Sequence, residues 1–251
     1  MKVRIPELVA HRGYALHYPE NTLIGIEAAI RAGARFIEID VQLSADKVPM
    51  LFHDRNMDRL CRVPGAIHDF TRAQLRDFNV LEFDRFGYKF ARNPITTLAE
   101  LGALLTRYPQ VTAFIEIKRV AVEHFGVATV LERVLHSLAP VIAQCVLISY
   151  NVPVLAAARE QGYHRVGAIL EHWHHQRHSD VQAIHPDYLF CDAVDLPHFG
   201  DLEKSGAQIV VYEITDPQVA LKLAQRGVGF IETFAIGEML AAFEPLRQTP
   251  A

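Results

Sequence analysis

Residues 145–150 read Cys-Val-Leu-Ile-Ser-Tyr, an apolar run in which no polar side chain occurs before Ser149. Residues 209–211, Ile-Val-Val, repeat the pattern further along the chain. Successive side chains of a strand point to opposite faces, so a strand of this kind is buried on both sides. Strands buried on both sides are typical of parallel sheets that are covered by helices. The run therefore predicts an α/β protein.

Similar apolar runs recur along the chain, and amphipathic stretches lie between them. Helices are predicted at 22–32, 98–107, 122–138 and 217–226. Asn21 is expected to cap the first helix, and Gly33 to follow its end. The nine strand candidates are 8–11, 36–40, 50–53, 112–118, 145–150, 165–170, 188–192, 208–213 and 229–232.

This alternation predicts a TIM-type (β/α)8 barrel, because such a barrel uses about 250 residues and the chain has 251. One of the nine candidates is then expected to be a hairpin arm or a rim extension. The irregular stretch at about 55–94 is expected to be an insertion or an active-site cover, within a single barrel domain of residues 1–251. Length alone also permits two small domains. An open doubly wound sheet competes as the fold, but the first strand lacks a Gly-rich phosphate loop.

Composition and charge restrict the classes of binding partner and the cellular compartment that we expect for this protein. The net charge is −4, and both signs are scattered, so no basic face for nucleic acid is expected. Residues 1–6 resemble no export signal, and no apolar run approaches the ~18 residues of a membrane helix. Cys145 and Cys191 lie in apolar runs and are predicted to be core residues rather than disulfide partners. These features indicate a cytoplasmic protein, and they leave the oligomeric state open.

Ionisable side chains mark the ends of the first four predicted strands. Alone, a carboxylate at a strand end is more often a helix cap or a surface ion pair. Four such strands in succession indicate a shared site, because the carboxyl ends of barrel strands form the catalytic face. The residues are His11 and Arg12 after the first strand, Glu38 and Asp40 on the second, His53 and Asp54 after the third, and Glu116 and Lys118 on the fourth.

These side chains fall into three groups, each of which suits one part of phosphate-ester cleavage. Carboxylates suit a hard cation such as Mg²⁺ or Ca²⁺, imidazoles suit proton transfer near neutral pH, and cationic side chains suit phosphoryl oxygens. Acyl transfer is less favoured, because no Gly-x-Ser-x-Gly motif occurs. In that order, the groups are Glu38, Asp40 and Glu116; His11 and His53; and Arg12 and Lys118.

Five ordered motifs resemble the signature of the glycerophosphodiester phosphodiesterase family, of the short cytoplasmic bacterial type. They are His11-Arg12-Gly13, Pro19-Glu20-Asn21-Thr22, Glu38-x-Asp40, His53-Asp54 and Glu116-x-Lys118. The resemblance implies a βα barrel with an insertion after the third strand. It also implies a phosphoric diester hydrolase of glycerol and lipid metabolism, which uses a metal ion to convert glycerophosphodiesters into glycerol 3-phosphate and an alcohol.

The same resemblance implies a role for each matching residue. Glu38, Asp40 and Glu116 would hold one divalent cation, Mg²⁺ or Ca²⁺. His11 and His53 would be the general base and the general acid, in an order that the sequence leaves open. The substrate-binding residues would be Arg12 on the phosphoryl oxygens, Lys118 as a nearby cation, Glu20 in a supporting position or on the metal, and Tyr212 at the usual Trp position. Asn21 would only cap the helix.

Three departures from the family pattern are expected to lie on the side of the leaving alcohol. They are Ser149-Tyr150-Asn151, Tyr212 with Thr215, and Glu232-Thr233. The chemistry is therefore predicted more closely than the alcohol, which is choline, ethanolamine, glycerol or a lipid. The nucleophile is either water or the glycerol 2-hydroxyl.

Two alternative functions remain open, and the role of one segment is also undecided. A lysophospholipase D-like enzyme would need an apolar mouth, which the aromatic residues at 83–90 could supply. A non-catalytic barrel that binds phosphorylated ligands would not need both histidines. The His-rich segment 172–178 is interpreted as a solvated loop, with a transition-metal site as the alternative.

Overall fold

The computed structural model describes residues 4–200, 202 and 206–248. Residues 1–3, which belong to the predicted approach to the first strand, lie outside the described residues. Nine strands form one sheet in the order β1-β9-β8-β7-β6-β5-β4-β2-β3. They are β1 (Glu7–His11), β2 (Phe36–Leu43), β3 (Pro49–Leu51), β4 (Thr112–Ile117), β5 (Cys145–Ser149), β6 (Val166–Ile169), β7 (Tyr188–Asp192), β8 (Gln208–Tyr212) and β9 (Phe230–Thr233).

The sheet closes on itself through β1, which pairs in parallel with both β9 and β2. In this register His11 lies opposite Glu38, and Val9 lies opposite Glu232. Eight parallel strands therefore form a closed barrel, and the predicted TIM-type fold is confirmed.

The third predicted strand is not a barrel strand. β3 pairs antiparallel with the extended end of β2, where Gln42 lies opposite Met50. β3 is therefore a hairpin arm, which is one of the two outcomes expected for the ninth strand candidate. Beyond it, the backbone amide of Phe52 donates to the carbonyl of Asp40 at 3.0 Å, so the chain is led back to the barrel rim. His53 reaches the carboxyl end of the barrel by this return, and not by ending a parallel strand.

Helices alternate with the barrel strands and cover the outside of the barrel. The helices are α1 (Leu23–Arg31), α2 (Asp58–Cys61), α3 (Arg72–Leu75), α4 (Phe83–Phe86), α5 (Leu98–Leu105), α6 (Arg119–Phe125), α7 (Val127–Leu138), α8 (Val152–Glu160), α9 (Ser179–Ala183), α10 (Pro217–Gln225) and α11 (Ile236–Gln248). Short 3₁₀ turns lie at Ile67–Asp69, Ala139–Gln144, Trp173–Arg177 and Ala193–Asp195.

Two helix predictions need correction. The single helix expected at 122–138 is two helices, because Gly126 between α6 and α7 adopts a φ of 77° that interrupts the helical backbone. The N-cap of α1 is Thr22, whose side chain accepts from the amide of Gly25, and is not Asn21. Gly33 follows the end of α1 as predicted, with a φ of 107°.

The barrel lumen is filled below the site by apolar side chains. Phe114 lies at the centre, with ring centroids 5.0 Å from Tyr188, 5.2 Å from Phe190 and 6.3 Å from Phe230. Burying a side chain of this size contributes about 1.5–3 kcal/mol. The lumen therefore has an aromatic floor below the carboxyl ends of the strands.

The segment between β3 and α5 carries α2, α3 and α4 and has a small apolar cluster of its own. Met57, Leu60, Ile67 and Leu75 are fully buried in it. The segment lies where the insertion was expected, and the assignment of the whole chain to one domain stays a prediction. Cys145 and Cys191 lie in the main core, as predicted.

Within the described ranges, no single helix has the length and apolar character needed to cross a membrane. One bent pair, α6 with the stretch 127–144, meets those criteria only when taken together, across a bend of 119°.

Candidate active site

Three barrel strands build the site in the same way. Side chains two residues apart on a strand share a face, so a lumen-facing Phe is followed by a glutamate that faces the lumen one layer higher. The pairs are Phe36 and Glu38 on β2, Phe114 and Glu116 on β4, and Phe230 and Glu232 on β9.

A cluster of buried carboxylates stands above the aromatic floor. One oxygen each of Glu38, Asp40 and Glu116 lies within 4.8 Å of the others, and the three residues are 2%, 1% and 8% exposed. Among the described residues, Oε1 of Glu38 has no hydrogen-bond partner. Buried carboxylates are costly unless a cation or hydrogen bonds compensate them. This all-oxygen donor set fits a hard divalent cation.

The electrostatics divide these carboxylates into two kinds. Burial, together with the neighbouring Asp40, raises the pKa of Glu38 well above its usual value. Burial also raises the pKa of Glu116. Burial acts on Asp40 in the same direction, but Lys118 and Arg12 outweigh it and lower the pKa of Asp40. Asp40 is therefore ionised without a metal, whereas the two glutamates favour a proton or a cation.

The two predicted phosphate-binding cations are held by these carboxylates. The Nζ of Lys118 lies 2.9 Å from Oε1 of Glu116 and 3.1 Å from Oδ1 of Asp40. The Nε of Arg12 lies 3.2 Å from Oδ2 of Asp40, and its Nη1 donates to Oε1 of Glu20 at 3.2 Å. Burial opposes both charges, yet Asp40 raises the pKa of each, so both side chains are positively charged.

The turn after β1 explains the His-Arg-Gly motif. Arg12 adopts a φ of 55°, and its backbone amide donates to Oε2 of Glu38 at 3.2 Å. Gly13 follows with a φ of 86°, and a Cβ there would lie 2.9 Å from the backbone of Gly25 and Ile26 in α1. Only glycine allows this close approach, which holds the arginine over the carboxylates.

His11 is buried at the edge of the cluster. Its ring stacks on Phe234 at 4.8 Å, its Nε2 lies 3.5 Å from Oε2 of Glu38, and its Nδ1 lies 3.5 Å from Oε1 of Glu213. Burial, and next the charge of Arg12, lower the pKa of His11 well below 6.5. The imidazole is therefore neutral near pH 7 and able to accept a proton.

His53 lies on the other side of the same cavity and is oriented by its neighbour. Its Nδ1 lies 2.8 Å from Oδ1 of Asp54. Asp54 in turn accepts from the Nε and Nη2 of Arg59 at 2.7 and 2.8 Å. Burial opposes ionisation of Asp54, but the hydrogen bonds from His53 and Arg59 lower its pKa. The ionised carboxylate of Asp54 therefore holds the ring of His53 in one orientation.

Arg59, from the insertion, is a site residue that the sequence reasoning missed. Besides Asp54, it donates to both carboxylate oxygens of Glu20, at 2.8 and 3.0 Å. The backbone amide of Glu20 also donates to Oε1 of Glu82 at 2.6 Å. Glu20 is therefore hydrogen-bonded to the insertion through both Arg59 and Glu82. No motif singles out Arg59; the only signal was the number of Arg and Asp residues in an irregular stretch.

The prediction that Asn21 only caps a helix was wrong. Its Nδ2 donates to Oδ2 of Asp40 at 2.8 Å, and its Oδ1 accepts from the backbone amide of Asp40 at 3.0 Å. Asn21 adopts a φ of 56°, a left-handed conformation that asparagine tolerates well. Asn21 therefore orients Asp40, which is a candidate metal ligand.

The expectation for Glu232 also needs correction. Glu232 was expected on the side of the leaving alcohol, but it is 2% exposed and lines the same small cavity as Glu38 and Glu116. Tyr212 does lie further out, where its hydroxyl is 2.8 Å from that of Tyr150.

Two cavities meet at this face. The inner one has a volume of about 80 Å³, and the outer cleft has a volume of about 540 Å³. Residues that line both are His53, Glu116, Lys118, Tyr150 and Tyr212. Residues that line only the inner cavity include His11, Arg12, Glu38, Glu213 and Glu232.

Two other candidate groups lie apart from this cavity. In the 3₁₀ turn Trp173–Arg177 and just after it, one ring nitrogen each of His174, His175 and His178 lies within 4.8 Å of the others. None of these three histidines lines either site cavity. Burial raises the pKa of the Cys61 thiol to about 12, so this cysteine is not a nucleophile near neutral pH.

Comparison with known proteins places the chain in a family. The model of the glycerophosphoryl diester phosphodiesterase family matches residues 11–231. A glycerophosphodiester phosphodiesterase of Caldanaerobacter subterraneus subsp. tengcongensis is 29% identical over 188 residues, which are 72% of this chain and 76% of the relative. Glycerophosphodiester phosphodiesterase 1 of Bos taurus is 36% identical over 110 residues, which are 44% of this chain and 33% of the relative.

Solved structures show the same fold. An Oleispira antarctica phosphodiesterase, solved in complex with the product sn-glycerol-3-phosphate, superimposes with a TM-score of 0.83 at 21% identity, covering 96% of this chain and 97% of that one. A glycerophosphodiester phosphodiesterase of Thermotoga maritima superimposes with a TM-score of 0.71 at 23% identity, covering 95% and 98%. With the family model matching nearly the whole barrel, the chain belongs to the glycerophosphoryl diester phosphodiesterase family, a family of phosphoric diester hydrolases.

Proposed function

We propose that this chain hydrolyses glycerophosphodiesters to glycerol 3-phosphate and an alcohol, with one divalent cation, Mg²⁺ or Ca²⁺, held by Glu38, Asp40 and Glu116. The observation that carries the proposal is the meeting of buried carboxylates, two cationic side chains and two histidines at one cavity. The Oleispira relative with bound sn-glycerol-3-phosphate supports this choice of product.

When bound, the cation supplies positive charge that stabilises the developing charge on the phosphoryl oxygens. Arg12 and Lys118 add fixed positive charge beside it, since both are anchored by Asp40 within 3.2 Å. Because these side chains are already oriented and largely buried, they need no rearrangement as charge develops.

The two histidines are proposed to move the protons. His11 is neutral near pH 7 and accepts the proton of the nucleophile, which is water or the glycerol 2-hydroxyl. His53, oriented by Asp54 at 2.8 Å, donates a proton to the departing alkoxide. If the 2-hydroxyl attacks, cyclic glycerol phosphate forms first, so its accumulation under limited turnover distinguishes the two nucleophiles.

The outer cleft favours a small polar alcohol over an acyl chain. Its lining carries charges of both signs and two hydroxyl groups beside an apolar residue; it includes Glu171, Asp192, Asp195, Arg55, Arg119, Tyr150, Tyr212 and Val120. The aromatic residues of 83–90, which a lysophospholipase D-like enzyme would need at its mouth, line neither site cavity and instead pack on one another, as Phe86 does on Phe90 at 5.1 Å. Choline, ethanolamine and glycerol are therefore the proposed leaving groups.

The proposal is tested by release of choline from glycerophosphocholine. Activity should vanish in EDTA and return with Mg²⁺ or Ca²⁺. Glu116→Gln should lose activity, whereas Glu132→Gln, an exposed glutamate on α7, should retain it. Faster turnover of lysophosphatidylcholine would favour the lipid substrate. Binding of glycerol 3-phosphate without any metal-dependent hydrolysis would favour the non-catalytic barrel and contradict the proposal.

We also propose that the enzyme acts in the cytoplasm, on a small-molecule substrate and without nucleic acid. The scattered charge and the unpaired, buried cysteines support this placement. Fractionation of cells that produce the protein, with periplasmic and cytoplasmic marker enzymes, would test it.

A further inference from the structure

Glu232, on the last barrel strand, is a buried carboxylate without a described partner. It is 2% exposed, and its Oε1 is buried without a hydrogen bond to any described residue. No ion pair within the described ranges includes Glu232. A buried carboxylate in this state is costly, and a cavity wall that needed only volume would be filled by an apolar side chain.

Its position shows what it faces. Phe230, two residues earlier on β9, packs in the aromatic floor against Phe114, so Glu232 faces the lumen one layer above. Glu38 and Glu116 line the same cavity of about 80 Å³. Burial, and next the charge of Glu116, raise the pKa of Glu232 well above its usual value. The side chain thus points into the carboxylate cluster.

The charges of the cluster do not balance without a further cation. Glu38, Asp40, Glu116 and Glu232 supply four carboxylates and Glu213 lines the same cavity, whereas the only cationic side chains that the described structure places on this cavity are Arg12 and Lys118. Carboxylates therefore outnumber cationic side chains, and a divalent cation would reduce this excess of negative charge.

We propose that Glu232 is a fourth carboxylate of the cation site and strengthens binding of the divalent cation. Among the described residues, Glu232 is not part of the group Glu38, Asp40 and Glu116, whose ligand oxygens all lie within 4.8 Å of one another, so it is placed to act on the cation through an intervening water. The inference rests on the proposed function in one respect, namely that a divalent cation occupies this cavity.

The test compares Glu232→Gln with the unaltered protein by calorimetric titration of Mg²⁺ and Ca²⁺, after removal of metal with EDTA. Gln keeps the shape and removes the charge, so the affinity should fall about 10–100-fold, as for other groups that support metal ligands. Glu232→Asp should retain part of the affinity. Glu238→Gln, which removes a carboxylate bound to Tyr14 outside the cavity, is the control and should bind the cation normally.

Thermal unfolding in EDTA separates a binding role from a structural one. Without metal, Glu232→Gln should be at least as stable as the unaltered protein, because an uncompensated carboxylate is gone. A lower midpoint without metal, or an unchanged cation affinity, would overturn the inference. If Glu232→Gln does not fold, Glu232→Asp decides by its affinity in the same way.

The same measurements distinguish failure of the Glu232 role from failure of the proposed function. If the unaltered protein binds a cation and Glu116→Gln loses it while Glu232→Gln does not, only the role of Glu232 fails. If the unaltered protein binds no divalent cation, the proposed function fails as well.

Discussion

Asn21 and Asp40 are joined by two hydrogen bonds, one at 2.8 Å between their side chains and one at 3.0 Å from the Asp40 backbone amide to the Asn21 side chain. The first bond fixes which way the Asp40 carboxylate faces. Lys118 lies 3.1 Å from its Oδ1, and Arg12 lies 3.2 Å from its Oδ2. The residue before a helix thus positions a candidate metal ligand on a neighbouring strand.

We predict that Asn21→Ala lowers cation affinity and turnover by about 10–100-fold, the usual cost of losing a group that orients a metal ligand. Thr22→Ala is the matched control, because Thr22 caps α1 and does not bind Asp40. It should cost about 1 kcal/mol of stability and leave turnover nearly unchanged. Titration calorimetry and thermal unfolding of both variants provide the measurement, and equal effects on turnover would contradict the prediction.

His11→Ala and His53→Ala should each lower kcat by about 10²–10⁴, the range for loss of a proton-transfer group. Cation affinity should change little for His53→Ala, since His53 binds Asp54 and none of the three proposed ligands. His164→Ala, at an exposed position, is the control. Circular dichroism should show an unchanged fold, and full activity in both variants would exclude the proposed acid–base pair.

Arg59→Ala should lower kcat because it releases both Glu20 and Asp54, to which Arg59 donates at 2.7–3.0 Å. Asp54 orients His53, so we expect a loss of about tenfold or more, with little change in global stability. Arg62→Ala is the control, since it removes an arginine that pairs with the exposed Asp84 on the same insertion. If both variants retain full activity, the insertion does not position His53 for the proposed proton transfer.

The stability of the metal-free protein should depend on pH in a direction set by the buried glutamates. Burial raises the pKa of Glu38 and Glu116, so the folded state holds protons that the unfolded state releases above about pH 4.5. Stability without metal should therefore rise as the pH falls from about 7 to about 5.5. Asp40 does not oppose this, because its pKa is lowered and its contribution is lost only at lower pH. His11 does oppose it, because its pKa is lowered and the unfolded state takes up that proton first, but it is one group against Glu38, Glu116 and Glu232, whose pKa values are all raised.

Thermal unfolding midpoints in EDTA across this pH range provide the measurement. Saturating Mg²⁺ or Ca²⁺ should remove the rise, because the cation displaces the protons from the glutamates. A metal-free midpoint that falls on mild acidification would contradict the raised pKa values. Glu38→Gln should flatten the metal-free dependence, since it removes one of the titrating groups.

The local pattern of the sequence was sufficient for the barrel and for most of the site. Strands apolar on both faces, alternating with amphipathic stretches, predict a parallel sheet under helices. The two-residue spacing within Glu38-x-Asp40 predicts that both carboxylates lie on one face of a strand. These features depend on neighbouring residues, whose geometry the backbone period determines.

Contacts between distant segments could not be predicted in this way. Arg59 meets Glu20 across 39 positions, and nothing in either segment indicates the other. Asn21 looked like a helix cap because asparagine is common there, and Thr22 took that role instead. Likewise, the third apolar run resembled a barrel strand, whereas its antiparallel pairing with β2 makes it a hairpin arm.

The sequence by itself therefore determined the fold class, the kinds of chemical group and their order along the chain, because strand and helix periodicity are local. The tertiary structure alone decided which groups share a cavity, since that depends on closure of the barrel and on strand register. The pairing of Val9 with Glu232 is the example: this register places a fourth carboxylate inside the barrel beside the other three.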